Sequence, residues 1–259
     1  MHVSESTVAR VLAAEGLVPE GPGQRAPAPR APWPDWLECK PGRIWGYDFT
    51  RWGRARRASI AILDIVSRKW LATLTSAEET STRVEACFLA ALQAEGLLDD
   101  AGRRATAALR AAIDSGEHDK VAGLAGHGQV PLLLAISDNG PQMRSHSTRE
   151  FLAGVAIAQQ SGRPHTPWDQ AWTETLSGHV KGERPHLEKI TGPRGLDAEL
   201  DRARLEYNTV RLHAAIGYVT PDDEHEGRGD AIRQQRRDGL ASAREARISY
   251  RRNQPEENR

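Results

Sequence analysis

The pattern of apolar and polar positions first indicates strands. Apolar and alternating segments at 43–50, 59–65 and 70–74 predict three β-strands. Their connections are short, so an antiparallel meander is expected. A continuous apolar run at 131–138 predicts a buried central strand, and 155–159 predicts a short edge strand.

Helical spacing dominates the rest of the central region. Helices are predicted over 81–95, 147–154, 167–183 and about 196–213. A polar stretch rich in alanine and glycine, at about 97–128, predicts two short helices or an excursion from the core. Strands first, followed by strands alternating with helices, predict an α/β fold with a mixed sheet and helices on both faces.

The two ends of the chain differ from this centre. Residues 4–17 predict one short helix, which either docks on another element or is the surviving part of a helix-turn-helix. Residues 19–41 contain seven of the fifteen prolines and predict a linker or arm along a surface. Beyond Pro221 the chain is acidic and then rich in arginine up to Arg252, which fits either non-specific DNA binding or a solvated helix.

Composition excludes several classes of protein. Apolar residues make up 39% and charged residues 27% of the 259 positions, and no run approaches the ~18 apolar residues that a membrane span needs. No secretory signal is visible, and two cysteines cannot form a disulfide scaffold. A cytoplasmic protein, associated with the nucleoid, is expected. The zero net charge excludes a uniformly basic protein but not a local basic patch.

Three acidic residues stand out by their positions. Asp48 lies in the middle of a predicted strand, Asp138 ends the buried strand, and Glu174 lies on a predicted helix, with 35 residues between Asp138 and Glu174. Carboxylates that converge repel one another unless a cation neutralises them. Oxygen ligands suit Mg²⁺, and two such ions can clamp the attacking and leaving oxygens of a phosphodiester displacement.

The segments around these acids resemble the integrase/transposase catalytic core with its D,D-35-E triad, and most closely the insertion-sequence transposases of the IS3 type. The matching segments follow the family's order across about residues 43–221. They are Trp45-Gly46-Tyr47-Asp48-Phe49-Thr50, residues 63–68, Ser137-Asp138-Asn139-Gly140-Pro141, residues 174–183, and residues 207–221.

The resemblance implies an RNase H-like fold with a five-stranded mixed sheet, flanked by helices, an N-terminal helix or arm, and a helical C-terminal tail. It implies Asp48, Asp138 and Glu174 as catalytic residues that bind Mg²⁺ or Mn²⁺, with two ions. Water then cleaves a phosphodiester at the element end, and the freed 3′-OH attacks target DNA. The implied partners are double-stranded DNA and further copies of the chain on DNA, with a separate N-terminal helix-turn-helix protein or reading frame as an option.

The resemblance also suggests boundaries. They are a partial helix-turn-helix at 1–17, a proline-rich arm at 18–41, the catalytic core at 42–222 with an insertion at about 97–128, and an arginine-rich tail at 223–259. The chain departs from the family in the long interval between Asp48 and Asp138, in the largely absent helix-turn-helix, and in its neutral charge.

Basic residues near the triad are candidate DNA contacts, since arginine and lysine bind phosphate. They are Arg51, Arg54, Arg56, Arg57, His165 and Lys181. A solvated hairpin tip and a solvated lysine are the competing interpretations. Elsewhere, Asp64 is expected to bind Ser67 or Arg68 in a turn, and Tyr207 with Arg211 is expected to belong to the scaffold.

Two other functions remain open at the level of sequence. The first is a truncated, inactive transposase remnant that only binds DNA. The second is a metal nuclease of the same fold that cuts DNA without joining ends.

Overall fold

The computed structural model describes residues 33–114, 130–162 and 171–253, together with Thr7, Val11, Leu12, Ala14 and Glu15. Residues 19–32 of the predicted arm and most of the predicted N-terminal helix lie outside the described residues. Contacts divide the chain into Met1–Pro32 and Trp33–Arg259, and the description below concerns the second unit. None of the helices described is long and apolar enough to cross a membrane.

Five strands form one mixed sheet in the order β3-β2-β1-β4-β5. They are β1 (Ile44–Trp52), β2 (Arg57–Asp64), β3 (Trp70–Ser76), β4 (Leu133–Ser137) and β5 (Ile157–Ser161). The first three form the predicted antiparallel meander. β4 joins β1 in parallel, and β5 joins β4 in parallel. The predicted sheet and its central strand are confirmed.

Helices cover both faces of the sheet. They are α1 (Ser81–Ala94), α2 (Leu98–Asp114), α3 (His146–Gly154), α4 (Ala171–Glu183), α5 (Pro193–Thr209), α6 (Pro221–His225) and α7 (Gly229–Arg252). Mixed-sheet topology with flanking helices is the RNase H-like fold that was expected.

The two faces follow from the period-2 alternation of the strands. On one face, Trp45 and Tyr47 of β1 pack with Phe88 of α1 and Leu152 of α3. On the other face, Trp52 packs with residues of α4 and α5. The even-numbered residues of β1 therefore face α4, which matters for the site described below.

Some sequence-based bounds need correction. The helix expected over 196–213 is α5, which begins at Pro193 and ends at Thr209. It cannot continue, because the backbones of His213 and Val219 pair across a short loop. In the region 97–128, where two short helices or an excursion were expected, the described part is one 17-residue helix, α2. Residues 115–128 lie outside the described residues.

Asn208 fastens α5 to the start of β3. Its side chain accepts a hydrogen bond from the Trp70 amide at 2.8 Å and donates one to the Trp70 carbonyl at 2.9 Å, and both bonds are buried. A buried backbone group that loses its partner costs about 1–3 kcal/mol. β3 is an edge strand, and Asn208 supplies the two hydrogen bonds that a neighbouring strand would otherwise give to the backbone of Trp70.

The Asn208→Ala substitution is expected to lower the free energy of unfolding by about 3 kcal/mol, because it leaves both backbone groups of Trp70 without a partner. Urea unfolding measures this value. Thr209→Ala is the control, since the exposed Thr209 hydroxyl binds only the Leu205 carbonyl of its own helix, and a change below about 0.5 kcal/mol is expected there. Equal effects of the two substitutions would contradict the assigned role of Asn208.

Candidate active site

Two of the predicted acids lie on neighbouring parallel strands, Asp48 in the middle of β1 and Asp138 directly after β4. Gly46 of β1 is paired with Ile136 of β4. Asp48 and Asp138 each follow two residues later, so they occupy matching levels on the same face of the sheet. The strand register thus brings together two residues that are separated by ninety positions in the sequence.

Gly46 allows α4 to approach this face closely. A Cβ atom at position 46 would lie 3.2 Å from Cγ2 of Thr173 and 3.4 Å from Cδ1 of Ile65. Both distances are at the short limit of ordinary carbon contacts. Glu174 directly follows Thr173 in the first turn of α4. The missing side chain of Gly46 is therefore what lets the third acid come near the first two.

The electrostatics of Asp48 record this proximity. Burial, together with the charges of Asp138, Glu174 and Glu79, raises the pKa of Asp48 to about 7, although its carboxylate accepts a 2.7 Å hydrogen bond from the Phe49 amide. Burial is the largest cause. A carboxyl group held in this way is close to half protonated at neutral pH and is readily neutralised by a cation.

Asp138 is held by the turn that follows it. Its Oδ1 accepts a 2.9 Å hydrogen bond from the Gly140 amide. A Cβ on Gly140 would lie only 2.9 Å from the same oxygen, so glycine leaves room for the carboxylate. Asn139 donates a 2.7 Å hydrogen bond to the Gly162 carbonyl at the end of β5. Each residue of the Asp138-Asn139-Gly140 turn therefore has a local role in fixing the acid.

Glu174 is exposed and makes no hydrogen bond or ion pair among the described residues. The carboxylates of Asp48 and Asp138, in contrast, each accept a hydrogen bond from a backbone amide. The charges of Asp138 and Glu174 both act on Asp48 and raise its pKa. Among residues 33–114, 130–162 and 171–253, however, no group of three or more His, Cys, Asp or Glu side chains is gathered tightly enough to hold an ion. The chemistry of the oxygen donors fits a hard divalent cation.

Glu79 is a fourth carboxylate that the sequence reasoning missed. Its charge also raises the pKa of Asp48, and its Oε1 accepts a 2.6 Å hydrogen bond from Nε of Arg51. It lies in the loop between β3 and α1. No motif marks the position, because the contact depends on how the β1–β2 hairpin packs.

The hairpin arginines lie around a shallow pocket of about 550 Å³. Arg54 and Arg56 are exposed in the turn, and Arg57 pairs with Trp52 across the hairpin. The pocket is lined by Arg51, Arg56 and Arg57 and by the acids Glu78 and Glu79, with Trp52, Gly53, Ala58 and Ala77. Its charge is mixed rather than uniformly basic.

Lys181 contacts this hairpin from α4. Its Nζ donates to the Arg51 carbonyl at 3.0 Å and lies 5.2 Å from the ring centre of Trp52. It also pairs with Glu188 at 3.4 Å. The lysine thus joins α4 to the hairpin, near the carboxylates. His165 lies outside the described residues.

Other residues from the sequence analysis belong to the scaffold. Asp64 accepts hydrogen bonds from the amide and hydroxyl of Ser67, which confirms the expected turn contact. Tyr207 packs edge-on against Trp70 and His213. Burial, with help from nearby basic groups, lowers the pKa of His213 to about 4, so the imidazole is neutral at physiological pH.

A buried chain of polar groups links Ser67, His225 and Glu95. His225 lies 2.9 Å from the Ser67 hydroxyl through Nδ1 and 2.6 Å from Glu95 through Nε2. This order is reminiscent of a serine nucleophile with its base. The Ser67 hydroxyl, however, donates its proton to Asp64 at 2.8 Å, so that proton is not directed at the imidazole of His225. The chain is therefore a clamp that joins α6 to α1 and to the β2–β3 turn.

Comparison with known proteins adds a sequence match in the second half of the core. Residues 155–221 match the Integrase core domain family. The match supports the integrase/transposase superfamily. It spans about a quarter of the chain, from β5 to the start of α6, and contains Glu174 and Lys181 but neither Asp48 nor Asp138. A search of the curated proteins finds no match at the significance required.

Solved structures share the fold of this integrase-like core. A chain of the simian T-cell lymphotropic virus intasome, solved with the PP2A regulatory subunit B56 gamma, is 16% identical with a TM-score of 0.51, over 86% of this chain and 71% of that one. The catalytic core of BIV integrase is 19% identical with a TM-score of 0.46, over 70% of this chain and 92% of that chain. The HTLV-2 integrase core with magnesium, in its dimeric form, is 17% identical with a TM-score of 0.45, over 72% of this chain and 97% of that chain. At such identity the first likeness establishes the fold alone, and the two lower scores add no argument.

Proposed function

We propose that the chain is a DNA transposase of the insertion-sequence type, which cleaves a phosphodiester at an element end and joins the freed 3′-OH to target DNA. Asp48, Asp138 and Glu174 are its catalytic residues. The observation that carries this proposal is the convergence of three carboxylates, on β1, directly after β4 and on α4. Burial, and then the charges of Asp138 and Glu174, raise the pKa of Asp48 to about 7. The integrase core match and the RNase H-like fold support it.

The three carboxylates would hold Mg²⁺ or Mn²⁺. Bound ions would supply positive charge for the attacking and leaving oxygens of an in-line displacement. Asp48 and Asp138 offer preset oxygens on the sheet, whereas the exposed Glu174 completes the set from α4. Because the carboxylates repel one another without a cation, metal binding is expected to draw Glu174 towards the two aspartates.

Basic groups on the β1–β2 hairpin are proposed to contact DNA beside the carboxylates. Arg54 and Arg56 are exposed in its turn. Lys181 of α4 contacts the hairpin by donating a hydrogen bond to the Arg51 carbonyl. Phosphate binding needs only local positive charge, so a neutral chain is no obstacle. We further propose that the chain acts on DNA as an oligomer, since two element ends must be processed together, and that the core spans residues 42–222.

Cleavage of supercoiled plasmid in Mn²⁺ tests the proposal. The wild-type chain is expected to nick the plasmid, and Asp138→Asn and Glu174→Gln are each expected to reduce the rate about a thousandfold or more. The reason is that loss of a metal ligand removes several kcal/mol of transition-state stabilisation, and each 1.36 kcal/mol is tenfold in rate. Asp197→Asn is the control, because Asp197 is an exposed acid on α5.

The outcomes separate the alternatives. Nicking that survives both substitutions would contradict the triad. Absence of nicking by the wild-type chain would contradict catalysis by this chain and favour a remnant that only binds DNA. Nicking without joining of a labelled 3′-OH duplex to the plasmid would favour a metal nuclease of the same fold.

A further inference from the structure

The distal half of α7 lies outside the core that the described residues form. Every residue from Gln234 to Asn253 is exposed. At the near end, Arg233 pairs with Glu224 and donates to the Ile216 carbonyl, and Arg236 donates to the Tyr218 carbonyl. Beyond Gly239, the side chains of Arg244, Arg247 and Arg251 form no ion pair or hydrogen bond with any described residue. We call these three residues the distal arginine stripe.

The three arginines of the stripe share one side of the helix. They are spaced by three and four residues, so they lie within about 60° of one another around the axis and span about 10 Å along it. Side chains at these spacings are neighbours on a helix surface. The stripe is therefore a row of adjacent guanidinium groups rather than a scatter of charges.

Nothing on the helix neutralises the stripe. Within α7, the residues three and four positions from its members are apolar or aromatic, or are themselves members of the stripe: Leu240, Ala241, Ala243, Ile248 and Tyr250. Glu245 is the sole acid among the fourteen residues from Gly239 to Arg252, against four arginines, and it lies about 100° away from Arg244. Like charges at such spacings destabilise an isolated helix by a few tenths of a kcal/mol per pair. A polyanion would reverse this cost.

We propose that the distal arginine stripe binds the phosphate backbone of duplex DNA. Guanidinium groups bind phosphate oxygens in a bidentate manner, and a row of them suits a regular series of phosphates. The choice of DNA as the polyanion rests on the proposed function, but the stripe itself uses no catalytic residue. It extends the DNA surface well beyond the carboxylates.

The remainder of α7 argues against a lipid surface. Membrane-surface helices oppose their basic face with large apolar residues such as Trp, Phe and Leu. Away from the stripe, the distal half of α7 carries mainly small residues, namely Gly239, Ala241, Ser242, Ala243, Ala246 and Ser249. The larger apolar residues Leu240, Ile248 and Tyr250 are exposed, but they lie on or beside the arginine side of the helix, so no large apolar face opposes the stripe.

The hydrogen bonds of His225 fix α6, and therefore the start of the helix that carries the stripe, to the core. α7 begins four residues after α6 ends, and α6 is fixed to the core through His225, Ser67 and Glu95. The pairing of Arg233 with Glu224 then ties the first turns of α7 to α6. The stripe is thus carried on a helix that is anchored at one end, so DNA bound there stays attached to the catalytic core.

Fluorescence anisotropy of a labelled duplex in metal-free buffer tests the inference. The triple variant Arg244→Ala, Arg247→Ala, Arg251→Ala is expected to bind at least about tenfold more weakly than the wild type at about 0.1 M salt. Its slope of log K against log salt is expected to be shallower by about 3, because each phosphate contact contributes about 0.9. Circular dichroism checks that α7 stays helical.

A charge-matched control removes three exposed arginines elsewhere, namely Arg103 and Arg110 of α2 and Arg194 of α5, by substitution with alanine. Its affinity is expected to stay within about twofold of the wild type, since only the local field matters. Equal weakening by both triple variants would overturn the inference, and so would unchanged binding by the stripe variant or absence of wild-type binding. A stripe variant that alters only self-association would show instead that the stripe is a protein contact.

These results are separable from the test of catalysis. Asp138→Asn is expected to lose nicking but keep duplex binding. A stripe variant with unchanged duplex affinity would reject this inference alone, whereas nicking that survives the substitution of Asp138 would reject the proposed triad alone.

Discussion

Asp48→Asn is expected to abolish plasmid nicking and, at pH 8, to make the protein more stable. The folded state raises the pKa of Asp48 from 3.8 to about 7, so ionisation of this residue opposes folding. The penalty is absent below about pH 4, grows as the pH rises towards 7, and is complete above it. Asparagine carries no charge at any pH and keeps an oxygen to accept the hydrogen bond from Phe49. The variant therefore escapes the penalty while losing a metal ligand.

The expected gain in unfolding free energy at pH 8 is about 2–4 kcal/mol, since each pKa unit corresponds to about 1.36 kcal/mol. For a chain of this size the gain corresponds to a rise in Tm of roughly 5–10 °C. Thermal unfolding at pH 4.5 and pH 8 measures it, with Asp197→Asn as the charge-matched control. A gain of the same size at both pH values would contradict the assigned environment of Asp48. Divalent metal is expected to stabilise the wild type and narrow the difference.

Gly46→Ala is expected to slow metal-dependent nicking about tenfold while leaving the fold intact. The added Cβ would lie 3.2 Å from Cγ2 of Thr173, so α4 must move outward by a few tenths of an ångström. Glu174 moves with Thr173, and a displacement of about 1 Å in a catalytic group costs about a hundredfold in rate. The strand itself tolerates alanine, because the backbone of Gly46 does not adopt a positive φ.

A second substitution makes this prediction specific. Thr173→Ser removes the methyl group that would meet the new Cβ but keeps the hydroxyl group. The double variant Gly46→Ala, Thr173→Ser is expected to recover most of the lost rate, and Thr173→Ser alone is expected to be close to the wild type. Failure of the double variant to recover would mean that Gly46 does not act through the position of α4. A normal rate for Gly46→Ala would mean that α4 approaches β1 more loosely than the contacts indicate.

The two predictions probe different properties of one site. Asp48→Asn reports the charge that the fold concentrates there, and its effect on stability depends on pH. Gly46→Ala reports the distance between sheet and helix, and its effect on rate depends on a single methyl group. A purely structural role for Asp48 would leave nicking intact, whereas a purely structural role for Gly46 would not be reversed by Thr173→Ser.

The sequence by itself determined the sheet and the order of the acids. Alternating and continuous apolar runs marked β1 to β5, because a strand with a buried face leaves a period of two that neighbours do not alter. The interval between Asp138 and Glu174 and the turn after Asp138 are likewise local properties of the chain. The end of α5 was missed, because it depends on the pairing of His213 with Val219 across a loop.

Only the tertiary structure decided which distant residues meet. The close approach of Thr173 to Gly46, the influence of Glu79 on Asp48, and the clamp from His225 to Ser67 and Glu95 each join separate elements. The ion pairs of Arg233, and the lack of partners for the distal arginine stripe among the residues that the structure describes, also follow from where α7 leaves the core. Such contacts depend on strand order and helix packing, and no periodicity along the chain records them. The physical reason is that the alternation of apolar and polar side chains predicts the structure of one strand or helix at a time. Electrostatic interactions and close contacts between side chains, in contrast, join different strands and helices.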